Sequence, residues 1–290
     1  MSITAKAFFH PARKPTSTDV EDRFFSDLRT RNSTFKRTAS DRFHDLDARC
    51  LESFELSGAT IGQVLDIGIS SGATTLALYE RLLACGHMPA VVGTDIAIDG
   101  RLVKAYPGVR VLTDEAGHPL QYDVLGRVVR PWGRRADYAT GMLAVRALAN
   151  AWLGGRAQRL VQQGGGDITP VRLISPRVKA ASNVQIEKND IFVDTPAFRH
   201  RFDFIRACNI LNRGYFDEEA LRRAMANIVR YLTGPGAFLL IARSARGCHV
   251  GTLFQVSANG RFLDVVDRFC GGSEVEWLML ETPLPEQWAI

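Results

Sequence analysis

Three acidic residues and one glycine-rich turn are the parts of this chain best suited to hold a ligand. Asp66 interrupts the apolar run Val64-Leu65-Asp66-Ile67, and Gly68-Ile69-Ser70-Ser71-Gly72 follows at once. A carboxylate inside a buried run must find a charged or strongly hydrogen-bonding partner. Gly68 and Gly72 give the backbone freedom to turn and let a ligand approach the main chain. From Ala73 the spacing is helical, with Leu76, Tyr79, Leu82 and Leu83 three and four apart. The amides at that helix start favour a carboxylate or phosphate. Residues 63–78 therefore read as strand, turn and helix, the place where open α/β sheets hold ligands. Asp95 lies 29 positions beyond Asp66, at the end of the apolar stretch 90–96. A carboxylate one β-α-β unit downstream can accept both hydroxyls of a ribose. Asp190 closes a third stretch, 184–190, as half of an Asn-Asp pair, which by itself is turn chemistry.

Three kinds of site share such a turn. A dinucleotide fingerprint counted from Gly68 needs glycines where the chain has Ser70 and Ala73, so the pyrophosphate turn is poorly matched. Residues 68–72 do match the G-x-S-x-G nucleophile elbow of serine hydrolases, with Ser70 as nucleophile. An elbow normally follows several strands and an oxyanion loop, whereas the sequence before Gln63 is polar and helical. The stretch 64–72 also resembles the first motif of the class I S-adenosylmethionine-dependent methyltransferases, acidic-x-Gly-x-Gly-x-Gly, with Ser70 in place of the middle glycine. This resemblance accounts for Asp66 as well.

The resemblance implies that the turn wraps the methionine end of the cofactor. Asp66 would lie close to the ammonium, directly or through water; Asp95 would hold the ribose with Ile96 beside it. It also implies that Asp190 accepts a hydrogen bond from the adenine amine, with Ile191 along the ring. Asn209, two hydrophobic residues and the pair Tyr215-Phe216 resemble a later motif of the family, and especially the corresponding stretch of chemotaxis-receptor glutamate methyltransferases. That closer likeness covers roughly forty residues and does not fix the substrate. It places Asn209 beside the transferring methyl, where its carbonyl could orient the acceptor; the plain alternative is that Asn209 only turns the chain. Methyl transfer from a sulfonium is an in-line displacement, so alignment and exclusion of water supply much of the catalysis. Tyr215, His200 and His249 are weaker candidates for a base, and no base is assigned.

The rest of the chain must position these residues. With 290 residues, 46% hydrophobic and 23% charged, it has the composition of a globular protein with ample core. No run of roughly 18 apolar residues and no signal-peptide pattern is present, which points to the cytoplasm. Cys50, Cys85, Cys208, Cys248 and Cys270 are scattered without a C-x-x-C pair, so neither a disulfide framework nor a metal site is expected.

The expected fold is α/β: a Rossmann-like seven-stranded methyltransferase sheet with helices on both faces, an N-terminal helical cap and a helical insertion. The cap is residues 1–60, with Val20, Phe24, Phe25 and Leu28 on one face. Lys36 and Arg37 lie between its hydrophobic anchors and could serve as a lid over the acceptor. The methyltransferase domain is residues 61–290. Val109–Leu112 reads as a third strand, and 114–183 as an insertion of a hairpin and a long basic helix from Asp137 to Gln163. Residues 202–208 read as a central strand, 217–232 as a capped helix, 236–242 as a further strand, 252–266 as a hairpin, and 275–280 as the last strand.

The net charge of +5 is concentrated in the insertion. Residues 127–182 hold nine arginines and one lysine against Asp137 and Asp167, a net of +8 that leaves −3 for the remainder. Arg134, Arg135, Arg146, Arg156 and Arg159 around Trp152 fit either a lid over a substrate pocket or a helix lying on an anionic membrane, which would place the protein peripherally at the inner membrane surface through 127–163. No recognised nucleic-acid module is present, so nucleic acid is not an expected partner. The expected acceptor is an oxygen or nitrogen on a small molecule or lipid-like metabolite. Protein carboxylate methylation and a catalytically silent cofactor binder recruited to an anionic surface are the alternatives.

Overall fold

The computed structural model describes all residues except 1, 11–16, 32–35, 37–38, 134–136, 138–140, 246 and 290. The chain divides into two compact units, residues 1–39 with 97–177 and residues 40–96 with 178–290.

The second unit carries the turn. Its seven-stranded sheet is built from β1 (Gln63–Ile67), β2 (Ala90–Asp95), β8 (Val184–Lys188), β9 (Phe204–Cys208), β10 (Phe238–Ser244), β11 (His249–Val256) and β12 (Leu263–Phe269). The spatial order is β12-β11-β10-β9-β1-β2-β8. Strands β8, β2, β1, β9 and β10 are parallel, and the hairpin β11–β12 ends the sheet antiparallel to β10. The order reverses between β1 and β9, so a crevice opens at their carboxyl ends, the usual ligand position in such sheets.

Alternation along β9 and β10 sorts the helices onto two faces. Ile205, Ala207, Leu239 and Ile241 face α8 (Glu218–Tyr231), whose Leu221, Met225, Ile228 and Val229 are buried in the same core. Phe204 and Phe238 face the other way, onto Phe54 of α3 (His44–Leu56). On that side α3 lies beside α4 (Ala73–Ala84), which returns the chain from β1 to β2. The Asp217 carboxylate caps α8 by accepting the Ala220 N–H at 2.8 Å, as its position in the sequence predicts.

Residues 275–280, expected to be the last strand, form the helix α9 (Glu276–Leu280) instead. Val275, Leu278 and Met279, spaced three and four apart, all point into the core beside α8, and Glu276 bonds Arg268 and Thr252 from the first turn. A strand would have turned Leu278 and Met279 to opposite faces.

The first unit holds a five-stranded antiparallel sheet, β6-β5-β4-β3-β7, made from β3 (Asp99–Tyr106), β4 (Val109–Asp114), β5 (Pro119–Val124), β6 (Arg127–Val129) and β7 (Ile168–Arg172). The strand expected at 109–112 is thus β4 of this second sheet and not a parallel strand of the first. Pro107 and Gly108 alone join it to β3, and two residues permit a hairpin but not a parallel crossover. One face is covered by α1 (Ala5–Phe8) and α2 (Thr18–Ser26) through Phe8, Phe24, Phe25 and Leu28. The other is covered by Ala157 and Val161 of α6 (Gly155–Gln163). The long helix of the insertion is α5 (Met142–Ala149), a π-helical turn at 150–154 and α6. A short helix, α7 (Pro176–Ala180), follows β7 in the chain. Among the described residues no helix is long and apolar enough to cross a membrane.

Candidate functional site

The turn after β1 takes the left-handed backbone conformation three times, at Gly68 (φ 75°), Ser70 (φ 59°) and Gly72 (φ 83°). A side chain at Gly68 would meet Ile210 Cδ1 at 2.1 Å, so glycine is what lets the segment after β9 close down on the turn. The turn is anchored to β2: Thr94 O accepts the Gly68 N–H at 2.7 Å and the Ile69 N–H at 3.1 Å, and Asp95 Oδ2 accepts the Ser70 N–H at 2.7 Å. Asp95 is therefore both a strand-end carboxylate and the clamp that shapes the first turn. Beside it, Ile96 is 59% exposed at the carboxyl edge of the sheet. An uncovered isoleucine there is a ready face for a flat ring.

Asp66 finds the charged partner that its place in a buried run requires. Its carboxylate is buried and accepts Arg206 Nε–H at 2.9 Å, Arg206 Nη2–H at 2.7 Å and Thr75 Oγ1–H at 2.7 Å. Arg206 faces it directly, because Asp66 and Arg206 are register partners in β1 and β9. The same guanidinium donates from Nη1 to Asp47 of α3 at 2.8 Å, and Arg81 of α4 bonds the other Asp47 oxygen at 2.8 Å. Two carboxylates and two guanidiniums thus form a charge-balanced ladder from α4 through α3 to the centre of the sheet. Burial opposes the charge on Arg206, but Asp66 and Asp47 outweigh it and hold the guanidinium well above its ordinary range. Burial likewise pushes the Asp47 carboxyl upward, against the pull of Arg206 and Arg81. The sign of Arg206 was readable in the sequence: it is the one charged residue in the apolar run Phe204-Ile-Arg-Ala-Cys208.

The remaining expected residues are distributed unevenly. Asp190 uses Oδ1 to accept the Phe192 N–H at 3.0 Å, a local turn bond. Ile191 is buried in the α8 core and its carbonyl accepts Asn227 Nδ2–H at 2.9 Å, so its side chain packs inward. The aromatic neighbour Phe192 lies against Phe216, ring centres 4.9 Å apart. Asn209 has φ 62°, accepts the Ser244 N–H through Oδ1 at 2.8 Å, and donates its own N–H to Ala242 O at 2.8 Å. It ties the end of β9 to the end of β10. Tyr215 is exposed in the turn beyond it.

In the first unit Lys36 is only 3% exposed and its main-chain N–H bonds Leu28 O at 3.0 Å; Arg37, Arg134 and Arg135 lie outside the described residues. Trp152 is 68% exposed. Several arginines of the basic segment are engaged inside the unit. Arg130 makes a two-pronged bond to Asp27 at 2.8 and 2.9 Å, Arg146 is buried against Asp137 at 2.9 Å, and Arg156 bonds Ala105 O at 2.7 Å. Among the described residues no group of three histidine, cysteine, aspartate or glutamate side chains is placed to hold a metal.

No protein-family model matches the sequence. No curated protein matches it either. Solved structures that it resembles include the N-methyltransferase NodS from Bradyrhizobium japonicum in complex with S-adenosyl-L-homocysteine, at 19% identity and a TM-score of 0.32. That match covers 69% of this chain and 62% of NodS, so less than two thirds of the NodS chain is spanned. Another is an S-adenosylmethionine-bound amino pentose methyltransferase from Micromonospora echinaspora, at 13% identity and a TM-score of 0.33, covering 81% of this chain and 79% of the other. Independently of these likenesses, the strand order and the glycine turn at its switch point make the second unit a Rossmann-like seven-stranded α/β fold.

Proposed function

We propose that the protein is an S-adenosylmethionine-dependent methyltransferase acting on an oxygen or nitrogen of a small or lipid-like molecule. One observation carries the reading: the left-handed turn after β1 is clamped to Asp95 through Ser70 N–H, which brings the turn, the strand-end carboxylate and exposed Ile96 together beside the switch point. This suits a ligand with a compact polar end, a ribose and a flat base. In the proposed complex the turn at 68–72 takes the methionine end, Asp95 the ribose, and Ile96 and the Asp190 segment the adenine. Asp66, held by Arg206 and Thr75, braces the end of β1 from which the turn springs, and meets the cofactor's ammonium directly or through water. Cofactor binding supplies a methyl group on a sulfonium; the protein holds it, aligns the acceptor and keeps water out.

The deciding experiment is calorimetric titration with S-adenosylmethionine and S-adenosylhomocysteine, beside Asp95→Ala. Micromolar binding that the substitution weakens tenfold or more, about 1.4 kcal/mol, supports the reading. Absence of heat and of any thermal shift in folded protein would sink it, and labelling of Ser70 by a serine-reactive phosphonate would then favour the nucleophile elbow.

A surface role for residues 127–163 has a narrower basis than the sequence suggests. Val145, Leu148 and Trp152 form an exposed apolar stripe at helical spacing, but Arg130, Arg146 and Arg156 are engaged within the unit. Flotation with anionic vesicles, unchanged by Trp152→Ala, would remove the membrane proposal.

A further inference from the structure

Besides the cofactor turn, the carboxyl edge of the sheet carries a second organised cluster, at the ends of β9 and β10 and the start of β11. Ser244 and His249 are register partners across the β10–β11 hairpin, and Ser244 Oγ lies 3.2 Å from His249 Nδ1. Arg42, just before α3, donates Nε–H to the same Ser244 Oγ at 3.1 Å. The Phe43 ring meets the His249 ring edge-on, centres 5.3 Å apart and planes at 63°. Ser244 N–H is the group held by Asn209 Oδ1. An imidazole fixed by a hydroxyl on one nitrogen and an aromatic ring against its side is built to present its other nitrogen in one direction.

We propose that His249 is the catalytic base that removes the acceptor's proton, with Ser244 and Phe43 as positioning residues. The proposal rests on the methyltransferase reading. Arg42 can only donate, so Ser244 Oγ accepts from it; its second lone pair can accept His249 Nδ1–H, and this is the tautomer the proposal assigns. In that tautomer Nε2 carries the lone pair. As the acceptor's N or O attacks, its bond to the methyl carbon forms while the carbon–sulfur bond breaks, and the bonding pair stays on sulfur as a neutral thioether. The acceptor's proton passes to Nε2, giving an imidazolium whose Nδ1–H keeps its bond to Ser244, and is then lost to solvent. A carboxylate acceptor carries no proton to remove. The cluster therefore points to an amine, hydroxyl or phenol as the acceptor, and away from protein carboxylates.

The test has two readouts. The first follows histidine ring signals by NMR in protein with labelled histidine, His249 being assigned through H249Q, as S-adenosylhomocysteine or S-adenosylmethionine is added to saturation. These ligands differ only in the methyl and its charge. The His249 signal should move on binding and sit at different positions in the two complexes, while His200, at the amino end of β9, stays within its line width in both. Identical His249 positions in two saturated complexes would overturn the proposal. If neither ligand binds by calorimetry, the methyltransferase reading fails and the proposal falls with it, an outcome distinct from the previous one. The second readout is turnover with a panel of amines, phenols, alcohols and carboxylic acids. H249Q should lower kcat by about a hundredfold or more with cofactor affinity kept within threefold, and Ser244→Ala should lower it less. Turnover confined to carboxylic acids, or an H249Q variant as fast as the parent, would overturn the assignment.

Discussion

Replacing Arg206 by methionine removes the centre of the buried ladder and leaves two carboxylates behind. Asp66 keeps only Thr75 Oγ1–H, and Asp47 keeps only Arg81. The Arg206 side chain is 1% exposed and those of Asp66 and Asp47 are 4% and 2% exposed, so water cannot replace the lost bonds without opening the sheet. Breaking a buried pair from one side costs about 3–5 kcal/mol, because the remaining charge is desolvated and uncompensated. Arg206→Met should therefore destabilise the second unit by that amount. Adding Asp66→Asn to it removes the one charge left without an ionic partner, Asp47 still being paired with Arg81, and should recover about 1–2 kcal/mol. Because the chain has two units, the loss is best read locally, from amide hydrogen exchange of peptides covering 63–67 and 204–208, with urea unfolding beside it. A cost below about 1 kcal/mol for Arg206→Met, or a double variant less stable than the single one, would refute the ladder as the element that holds β1 to β9. The double variant also separates the two roles of Asp66. If Asp66 serves only to brace β1 and does not meet the ligand, S-adenosylmethionine affinity stays within threefold of the parent. A tenfold loss, about 1.4 kcal/mol, would place the carboxylate on the ligand itself.

Gly68→Ala asks for a φ of 75° at a residue with a Cβ that would lie 2.1 Å from Ile210 Cδ1. We expect a stability loss of about 1–3 kcal/mol and cofactor binding weakened at least tenfold, with Ile210→Ala relieving the clash but not the backbone strain; a variant binding as tightly as the parent would mean that the turn does not set the site. Glu276 is held below the usual carboxylate range by Arg268, with Thr252 adding to it. A depressed folded value makes its contribution complete above the ordinary carboxylate range and lost as pH falls through the folded value. Since Arg268 is half exposed, Glu276→Gln should cost less than about 1 kcal/mol at pH 7 and nothing near pH 2, measured by urea unfolding. An equal deficit at both pH values would show that the ion pair is not its source.

What the sequence disclosed follows the physics of short-range pattern. The β1 turn, α8 with its Asp217 cap, and the β11–β12 hairpin are each encoded by neighbours in the chain, and each stands where the residues placed it. The second sheet was half visible for the opposite reason. Val109–Leu112 and 119–129 alternate as strands should and pair with their neighbours in the chain, but the sheet is completed by β3, which is not among the expected strands, and by β7, which pairs β3 from 65 to 73 positions further on. The same limit governs the site. Asp66 demanded a buried partner on sight, and the resemblance offered an ammonium; the structure supplies Arg206, 140 positions on. A strand carries an arginine among four apolar residues only if something charged stands beside it in register, and that condition links two strands whose separation in sequence hides their adjacency. Asn209 shows the converse. Its place after β9 suggested contact with the acceptor, yet its carbonyl holds Ser244 N–H. In the proposed mechanism Asn209 shapes the reaction at one remove, by fixing the strand end from which Ser244 orients the imidazole.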